Sequence, residues 1–403
     1  MNSKRHFLLH PVVWLAALGY FVDIYDLLLF SIIRIPSLND LGVADPSGTG
    51  LLILNTQMFG LLLGGILWGV LGDKLGRTRV LFFSIALYSI GNLLNGFVQT
   101  GTQYAIIRFI AGIGLAGELG AGITLVSELL PKNKRGLGTS LVAGFGLTGA
   151  VFAFFIAQWF PWRICYFIGG GMGLLLLTLR MSVFESTLYK KLASKNHVSK
   201  GNFLMLFNKK ERFMRYVRSI LIGLPTWFVV GILISFSPEF AYHLGIEQSI
   251  DPGKGIMISY AAIAVGDVAI GLLSNRLRSR KKALHIFYII TIAGMIVFFT
   301  ASSPWQLYLS TGIMGFGTGF WAVFVTIGAE NFGTNLRATA ATTIPNMVRG
   351  SLNIISAIFL FFSNQLSYVN GGIVTGVIVM LVTYWAISGL QETFGRDLDF
   401  LEE

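Results

Sequence analysis

Acidic and basic residues occur inside long apolar stretches of this chain, where charge is expensive. A charged side chain at the centre of a bilayer costs about 2.5–3.5 kcal/mol on insertion scales, so each retained one calls for a partner or a function. A carboxylate there can take up and release a proton, and an arginine stays charged and can neutralise it. The acids are Asp23, Asp26, Glu118, Asp267 and, nearer the end of its stretch, Glu239; the cations are Arg108 and Arg349.

The composition requires most of the surface to face lipid. The chain has 403 residues, of which 54% are hydrophobic and 12% charged. A soluble domain has roughly 25% charged residues, about twice this share. The mean hydropathy of +0.70 agrees with a membrane protein.

Enzyme chemistry is not indicated. The histidines lie in or beside predicted loops and form no metal-binding cluster: they are His6, His10, His197, His243 and His285. The single Cys165 excludes an intramolecular disulfide. We find no nucleophile–base pair and no phosphate-binding loop. We therefore expect no catalytic residues, no metal and no cofactor, and proton chemistry at membrane depth falls to the carboxylates.

Twelve apolar windows are long enough to cross about 30 Å of hydrocarbon. They predict an all-α membrane protein with a six-helix bundle at 1–181, a basic linker at 182–216 and a second six-helix bundle with a short tail at 217–403. The windows are 11–33, 49–71, 78–98, 104–127, 136–158, 162–181, 217–241, 256–275, 283–302, 306–329, 338–362 and 369–391.

The distribution of Lys and Arg predicts the orientation. Most of the 30 basic residues fall in the termini, the linker and the even-to-odd connections, and Lys254 is the clear exception on the other side. Because basic loops stay in the cytoplasm, we expect both termini there and the protein in the cytoplasmic (inner) membrane. This rule accounts for the net charge of +11, so nucleic-acid binding is not needed to explain that charge.

A motif pair repeats at a fixed separation. Gly69-x-x-x-Asp73-Lys74-x-Gly76-Arg77 returns around Asn275, and Glu128 with Arg135 returns as Glu330 with Arg337; both pairs are displaced by 202 residues. A shared offset indicates an internal duplication, which is typical of secondary transporters. The second copy has Asn275 in place of the acid and Arg278 in place of Gly76, so we expect the first copy to be the stronger gate.

The first copy resembles the loop signature of the major facilitator superfamily. Arg108-x-x-x-Gly112-x-Gly114-x-x-Gly117-Glu118 and Glu128-x-x-Pro131-x-x-x-Arg135-Gly136 extend the resemblance toward its metabolite–proton symporter and sugar-porter branches. The resemblance implies two pseudo-symmetric bundles that alternate access to a central site. It also implies that Asp73, Glu128 and Arg135 act in gating, and we add the other motif residues Gly69, Gly76, Arg77, Glu330 and Arg337. A solvated basic loop is the alternative explanation for these motifs.

The estimated depths of two charged residues in the membrane support one ion pair. Asp26 lies about 10 Å and Arg108 about 6 Å from the same side of the membrane at 1.5 Å per residue, which an arginine side chain can bridge. The resemblance implies proton coupling through such a pair; a purely structural ion pair is the alternative. Asp23 lies on the same helical face as Asp26 and is a further proton-coupling candidate.

Five residues are candidates for substrate binding. Glu118 lies among glycines that leave room for a ligand or for a packed helix. Asp267 and Arg349 fall near mid-membrane and either contact substrate or neutralise each other. Trp227 and Trp321 are candidates because the resemblance places their helices beside the central cavity; an aromatic side chain that faces lipid is the alternative.

We expect a monomeric proton symporter that imports a small polar metabolite: an organic acid, an amino-acid-like zwitterion or a betaine. Its partners would be this substrate, protons and the lipid bilayer. An uncoupled facilitator or exporter and a ligand sensor without turnover are the alternatives.

Overall fold

The computed structural model describes residues 11–75, 77–118, 135–184, 203–395 and 402, and its elements are helical throughout these residues. The first half contains α1 (Pro11–Asp40), α2 (Pro46–Leu75), α3 (Arg77–Asn95), α4 (Gly101–Leu115), α5 (Arg135–Trp159) and α6 (Trp162–Phe184). After a 3₁₀ turn at Phe203–Leu206, the second half contains α7 (Lys210–Leu221), α8 (Leu224–Phe228), a π-helical segment (Val229–Ile234), α9 (Ser237–His243), α10 (Pro252–Leu277), α11 (Arg280–Phe299), α12 (Pro304–Thr318), α13 (Trp321–Glu330), α14 (Thr334–Gly350), α15 (Leu352–Gln365) and α16 (Tyr368–Ser388).

Ten stretches of these described residues are long and apolar enough to cross a membrane, and Arg79–Asn95 is a shorter apolar helix. With α4, they account for the twelve predicted spans, and the predicted all-α membrane fold is confirmed. Large apolar side chains face outward along the bundle; Phe83 is 59% exposed and Leu272 is 68% exposed. In hydrocarbon such exposure costs nothing, because lipid replaces water as the surrounding solvent.

Three predicted spans are interrupted. The span at 217–241 is divided into α7, α8, the π-helical segment and α9, with Pro225 and Pro238 at helix starts, where proline needs no backbone hydrogen bond. The span at 306–329 breaks between α12 and α13 at Gly319 and Phe320. The span at 338–362 breaks between α14 and α15 at Ser351.

The helix ends also differ from the windows. Helix α1 continues to Asp40, and α7 begins at Lys210, inside the predicted linker. Hydropathy detects the part of a helix that lies in hydrocarbon, and polar turns beyond the membrane surface do not register.

Glycines let helices of the first half approach to backbone contact. A Cβ atom at Gly149 of α5 would lie 2.2 Å from the carbonyl oxygen of Phe21 in α1. A Cβ atom at Gly112 of α4 would lie 2.3 Å from the carbonyl oxygen of Gln57 in α2. These contacts show close packing of the kind small residues permit between membrane helices.

The two halves meet along two seams. In the first seam, α2 packs on α14 and α15: Gly65 lies against Asn346, Gly350 against Leu62, and Ser356 Oγ donates to Asn55 Oδ1 at 3.0 Å. In the second seam α5 packs on α10, and Gln158 Nε2 donates to Asp251 Oδ2 at 3.2 Å. The halves therefore enclose a central space.

The glycine contacts give a matched test on one helix. Gly149→Ala forces α5 away from α1, and overpacking of this kind costs about 1–3 kcal/mol. At Gly144 of the same helix, an added Cβ atom would have open space within 4 Å, and Ala is the better helix former there. We expect Gly149→Ala to lower the melting temperature in detergent and Gly144→Ala to leave it unchanged or slightly raised. Equal melting temperatures would contradict the packing described.

Candidate functional site

A central cavity of about 20 Å³ lies between the halves in this conformation. It has room for about one water molecule, so a small-molecule substrate needs a conformation in which the halves lie further apart. Helices from both halves contribute to its wall: the lining residues are Tyr20, Ile24, Leu27, Leu147, Thr226, Trp227, Tyr260, Ile263, Thr318, Trp321 and Arg349. Three sequence-predicted residues, Trp227, Trp321 and Arg349, therefore lie together here.

Several polar atoms of the cavity wall have no hydrogen-bond partner among the described residues. They are Thr226 Oγ1, Trp227 Nε1, Trp321 Nε1 and Arg349 Nε. Buried polar groups are nearly always satisfied, so four such atoms in one cavity wall make this wall the candidate ligand site. Indole and guanidinium nitrogens donate and do not accept. The cavity thus favours a ligand rich in acceptor atoms, and aromatic rings on its walls favour a flat apolar body.

Asp23 and Arg349 form a buried ion pair across the two halves. Arg349 Nη2 lies 3.6 Å from Asp23 Oδ2, and the side chains are 1% and 0% exposed. Neither Asp23 oxygen accepts a hydrogen bond from the described residues. The pair neutralises charge but is loose, and Arg349 is also on the cavity wall.

The alternative in which Asp267 neutralises Arg349 is wrong. Asp267 Oδ1 instead accepts a hydrogen bond from the backbone N–H of Ala322, at 3.0 Å. The two residues lie at similar depths, but depth along a helix does not determine the direction in which a side chain points.

The Asp26–Arg108 pair expected from depth is present and tight. Arg108 Nη1 donates to Asp26 Oδ1 at 2.8 Å, and Nη2 donates to the Asp26 carbonyl at 2.9 Å. Arg108 also donates to Gln57 Oε1 at 3.3 Å and to Asn92 Oδ1 at 3.2 Å. Both charged side chains are fully buried. The network joins α1, α2, α3 and α4 within the first half, as a fixed strut would.

Glu118 is held by Arg180, a residue that the sequence reasoning missed. Arg180 binds it through both carboxylate oxygens, with Nη1 donating to Oε2 at 3.0 Å, and also donates to the Leu15 carbonyl at 3.2 Å. Glu118 is absent from the residues that line the cavity described above. Glu118 therefore lies away from this cavity wall, and its contact with substrate stays a prediction. Arg180 lies at the end of its apolar window, where a basic residue is ordinarily a boundary signal.

A second ion pair joins the halves at the end of the bundle that carries Asp40, and its arginine was also missed. Arg34 Nη1 lies 2.7 Å from Glu239 Oε1, and Nη2 donates to Glu239 Oε2 at 2.9 Å and to the Ser235 carbonyl at 3.1 Å. The guanidinium also lies 4.3 Å from the Phe236 ring centroid. Arg34 is one residue beyond the predicted window, although its side chain is only 1% exposed. We call this contact the Arg34–Glu239 latch.

The opposite end of the bundle carries Arg276, Arg280 and Lys281, and we call it the basic face. Here the second motif copy forms contacts within its own half. Arg280 binds Glu330 through two hydrogen bonds of 2.7 and 2.6 Å. Glu392 accepts from the Ser279 hydroxyl and from the N–H groups of Arg280 and Lys281 at the start of α11. Partial burial acts to raise the pKa of Glu392, but these donors outweigh it and hold the pKa below its usual range.

The first motif copy is mostly outside the part of the chain that the structure describes. Gly76 and Glu128 lie outside it, and the side chains of Asp73, Arg77 and Arg135 are likewise not described. Gly69 packs beside Thr343 of the other half, where a Cβ atom would lie 3.7 Å from its methyl group. Arg337 lies half-buried in α14. The stronger first-half gate therefore stays a prediction.

Comparison with known proteins identifies the family. The model of the Major Facilitator Superfamily matches residues 16–357, so the chain belongs to that superfamily of membrane transporters. The chain is 26% identical over 373 residues to the niacin transporter NiaP of Acinetobacter baylyi, covering 82% of each chain. It is 25% identical over 401 residues to the cis,cis-muconate transport protein of the same species, covering 96% of this chain and 94% of that one.

A solved structure shows the same fold. The xylose transporter XylE from E. coli, in a partially occluded inward-open conformation, superposes with a TM-score of 0.71 at 17% identity. The superposition covers 96% of this chain and 99% of XylE. At this identity the likeness defines the fold and not the substrate.

The Arg34–Glu239 latch generates a test of gating. Glu239→Gln removes the charge that holds Arg34, so we expect this end of the bundle to open more often. Spin labels at the exposed residues Gln99 and Ser302 of the two halves, in a Cys165→Ser background, would report this by pulsed electron paramagnetic resonance. A new population at longer distance is expected for Glu239→Gln. The control Glu247→Gln, at an exposed acid of the same end, should match the parent. An unchanged distance distribution for Glu239→Gln would contradict the latch.

Proposed function

We propose that this protein is a proton-coupled importer of small organic acids that works by alternating access. The observation that carries the proposal is the Asp23–Arg349 pair, which joins the halves beside a cavity whose polar wall atoms are mostly donors. A carboxylate supplies the missing acceptors, and the tryptophan and tyrosine rings of the wall can pack against a planar unsaturated body once the halves move apart. Two relatives are named for niacin and cis,cis-muconate, which are compounds of that chemistry.

Charge neutrality couples the binding of a proton to the binding of the substrate. With Asp23 ionised, the cavity holds one negative and one positive charge and is neutral. Adding a substrate carboxylate alone leaves a net negative charge in a medium of low dielectric constant, which is strongly unfavourable. Protonating Asp23 releases Arg349 to the substrate and restores neutrality. One proton and one carboxylate therefore bind together.

The contacts favour Asp23 over Asp26 as the proton site. Asp26 is locked to Arg108 by two hydrogen bonds within the first half, in a network that has no reason to change when the halves rock. Asp23 has a single loose partner in the opposite half. Rocking of one half against the other changes that distance and with it the proton affinity. We assign coupling to Asp23 and the structural role to Asp26, the reverse of the emphasis that the sequence suggested.

Alternating access follows from contacts between the halves. The basic face is cytoplasmic by the distribution of Lys and Arg, so the Arg34–Glu239 latch closes the external side. The π-helical segment Val229–Ile234 precedes Glu239, and π-helical turns are frequent at functional sites. Opening the latch would admit substrate and a proton from outside, and closing it would return the protein to the conformation described here.

Asp23→Asn tests the coupling. Asn mimics a permanently protonated aspartate, so substrate still binds but is no longer transported together with a proton. We expect proteoliposomes to lose accumulation of nicotinate driven by an inward proton gradient while counterflow at equal pH persists. Asp40→Asn is the control, since this acid lies on the same helix and its side chain is 54% exposed. Accumulation by Asp23→Asn equal to that of the parent would contradict the assignment.

Testing several organic acids in the same assay also separates the proposed symporter from an uncoupled facilitator and from a sensor. Counterflow without any response to a proton gradient in the parent protein would indicate an uncoupled facilitator. Absence of counterflow for nicotinate, cis,cis-muconate and related acids would favour a sensor.

Arg349→Gln tests the carboxylate requirement. A hydrogen bond to a charged group contributes about 1.5–3 kcal/mol, so losing the guanidinium should weaken nicotinate binding tenfold or more. Nicotinamide has the same ring without the charge, and its counterflow should fall much less. Arg276→Gln, at an exposed position near the end of α10, is the control. An equal loss for both solutes would show that Arg349 does not bind the carboxylate.

A further inference from the structure

The break between α12 and α13 lies directly against α10. A Cβ atom at Gly319, in the break, would lie 2.7 Å from the Cα of Gly266 in α10, so the two backbones touch. Asp267 follows Gly266 in the chain. The contact thus places an acidic side chain beside the first turn of a half-helix that begins inside the membrane.

The first turn of α13 needs an acceptor. The first four N–H groups of a helix have no partner within the helix, and in hydrocarbon no water is available to satisfy them. Phe320 stands at the N-cap position and its side chain cannot accept a hydrogen bond. Asp267 Oδ1 accepts from the N–H of Ala322 at 3.0 Å, so a residue of α10 supplies the cap. A negative charge at a helix N-terminus is also favoured by the helix dipole.

This cap determines where a cavity residue lies. Trp321 is the first residue of α13, it lines the cavity, and its Nε1 has no hydrogen-bond partner among the described residues. We propose that Asp267 is a positioning residue: by accepting a hydrogen bond, and not by carrying a proton, it fixes the start of α13 and so presents Trp321 to the substrate. That Trp321 contacts a substrate rests on the function proposed above.

Two substitutions separate acceptor from charge. Asp267→Asn keeps an oxygen that can accept from Ala322, whereas Asp267→Ala keeps none. Hydrogen–deuterium exchange of the peptide segment 319–325 in the full-length protein, without ligand, measures the cap directly. We expect exchange about tenfold faster in Asp267→Ala and near the parent rate in Asp267→Asn, because loss of a cap frees the first turn. Equal exchange in Asn and Ala, or no change in Ala, would overturn the proposal.

Transport provides the second readout. In nicotinate counterflow, Asp267→Ala should raise the KM about tenfold, and it should add little further when Trp321→Phe is already present, because both act at one contact. Asp267→Asn should keep the pH profile of uptake, and a lost proton dependence would overturn the proposal even if Asp267→Ala fails to fold. If the parent protein itself moves no organic acid, the proposed function fails, and the exchange result still decides whether Asp267 caps α13.

Discussion

Electrical neutrality in a low-dielectric interior constrains this molecule more than any other requirement. A buried charge that loses its partner costs about 3–5 kcal/mol, so any motion that separates an ion pair must supply a replacement. The Asp23–Arg349 pair joins the halves at the cavity and is held by charge with little hydrogen bonding. In the mechanism proposed above, rocking the halves therefore requires a proton on the acid and an anion on the arginine, and this requirement couples the two without a dedicated relay.

The remaining buried pairs divide by what they connect. Asp26–Arg108 and Glu118–Arg180 lie within the first half, are bound by several hydrogen bonds, and connect its helices to one another. The Arg34–Glu239 latch crosses between the halves at the opposite end from the basic face, and in the proposed mechanism it is the gate on that side. Asp267 pairs with no cation among the described residues, and its Oδ1 instead accepts a hydrogen bond from the first turn of a helix. Fixed contacts inside a half and exchangeable contacts between halves are what a rocking mechanism requires.

The sequence predicted the fold and one pairing well, and failed where rotation about a helix axis mattered. Hydropathy predicted the twelve spans. The estimated depths in the membrane predicted the Asp26–Arg108 pair, because a long arginine side chain tolerates an error of several ångströms in depth. The same depth argument suggested Asp267 with Arg349 and was wrong, since an error of one residue turns a side chain by about 100°. Arg34 and Arg180 were missed because basic residues at the ends of apolar windows look like boundaries. The break before Trp321 was missed although Gly317 and Gly319 lie beside it, because the average hydropathy of the window stays high across them.

Charge-neutral coupling at Asp23 can be tested by counting the protons taken up when substrate binds. Calorimetric titration of nicotinate into the purified protein, repeated in buffers of different ionisation enthalpy, measures that number without transport or a membrane potential. At a pH where Asp23 is ionised in the free protein, we expect about one proton taken up per nicotinate bound, and none in Asp23→Asn, because neutrality requires one proton for each carboxylate. Binding of nicotinate by the parent protein with no proton uptake at any pH would contradict this coupling.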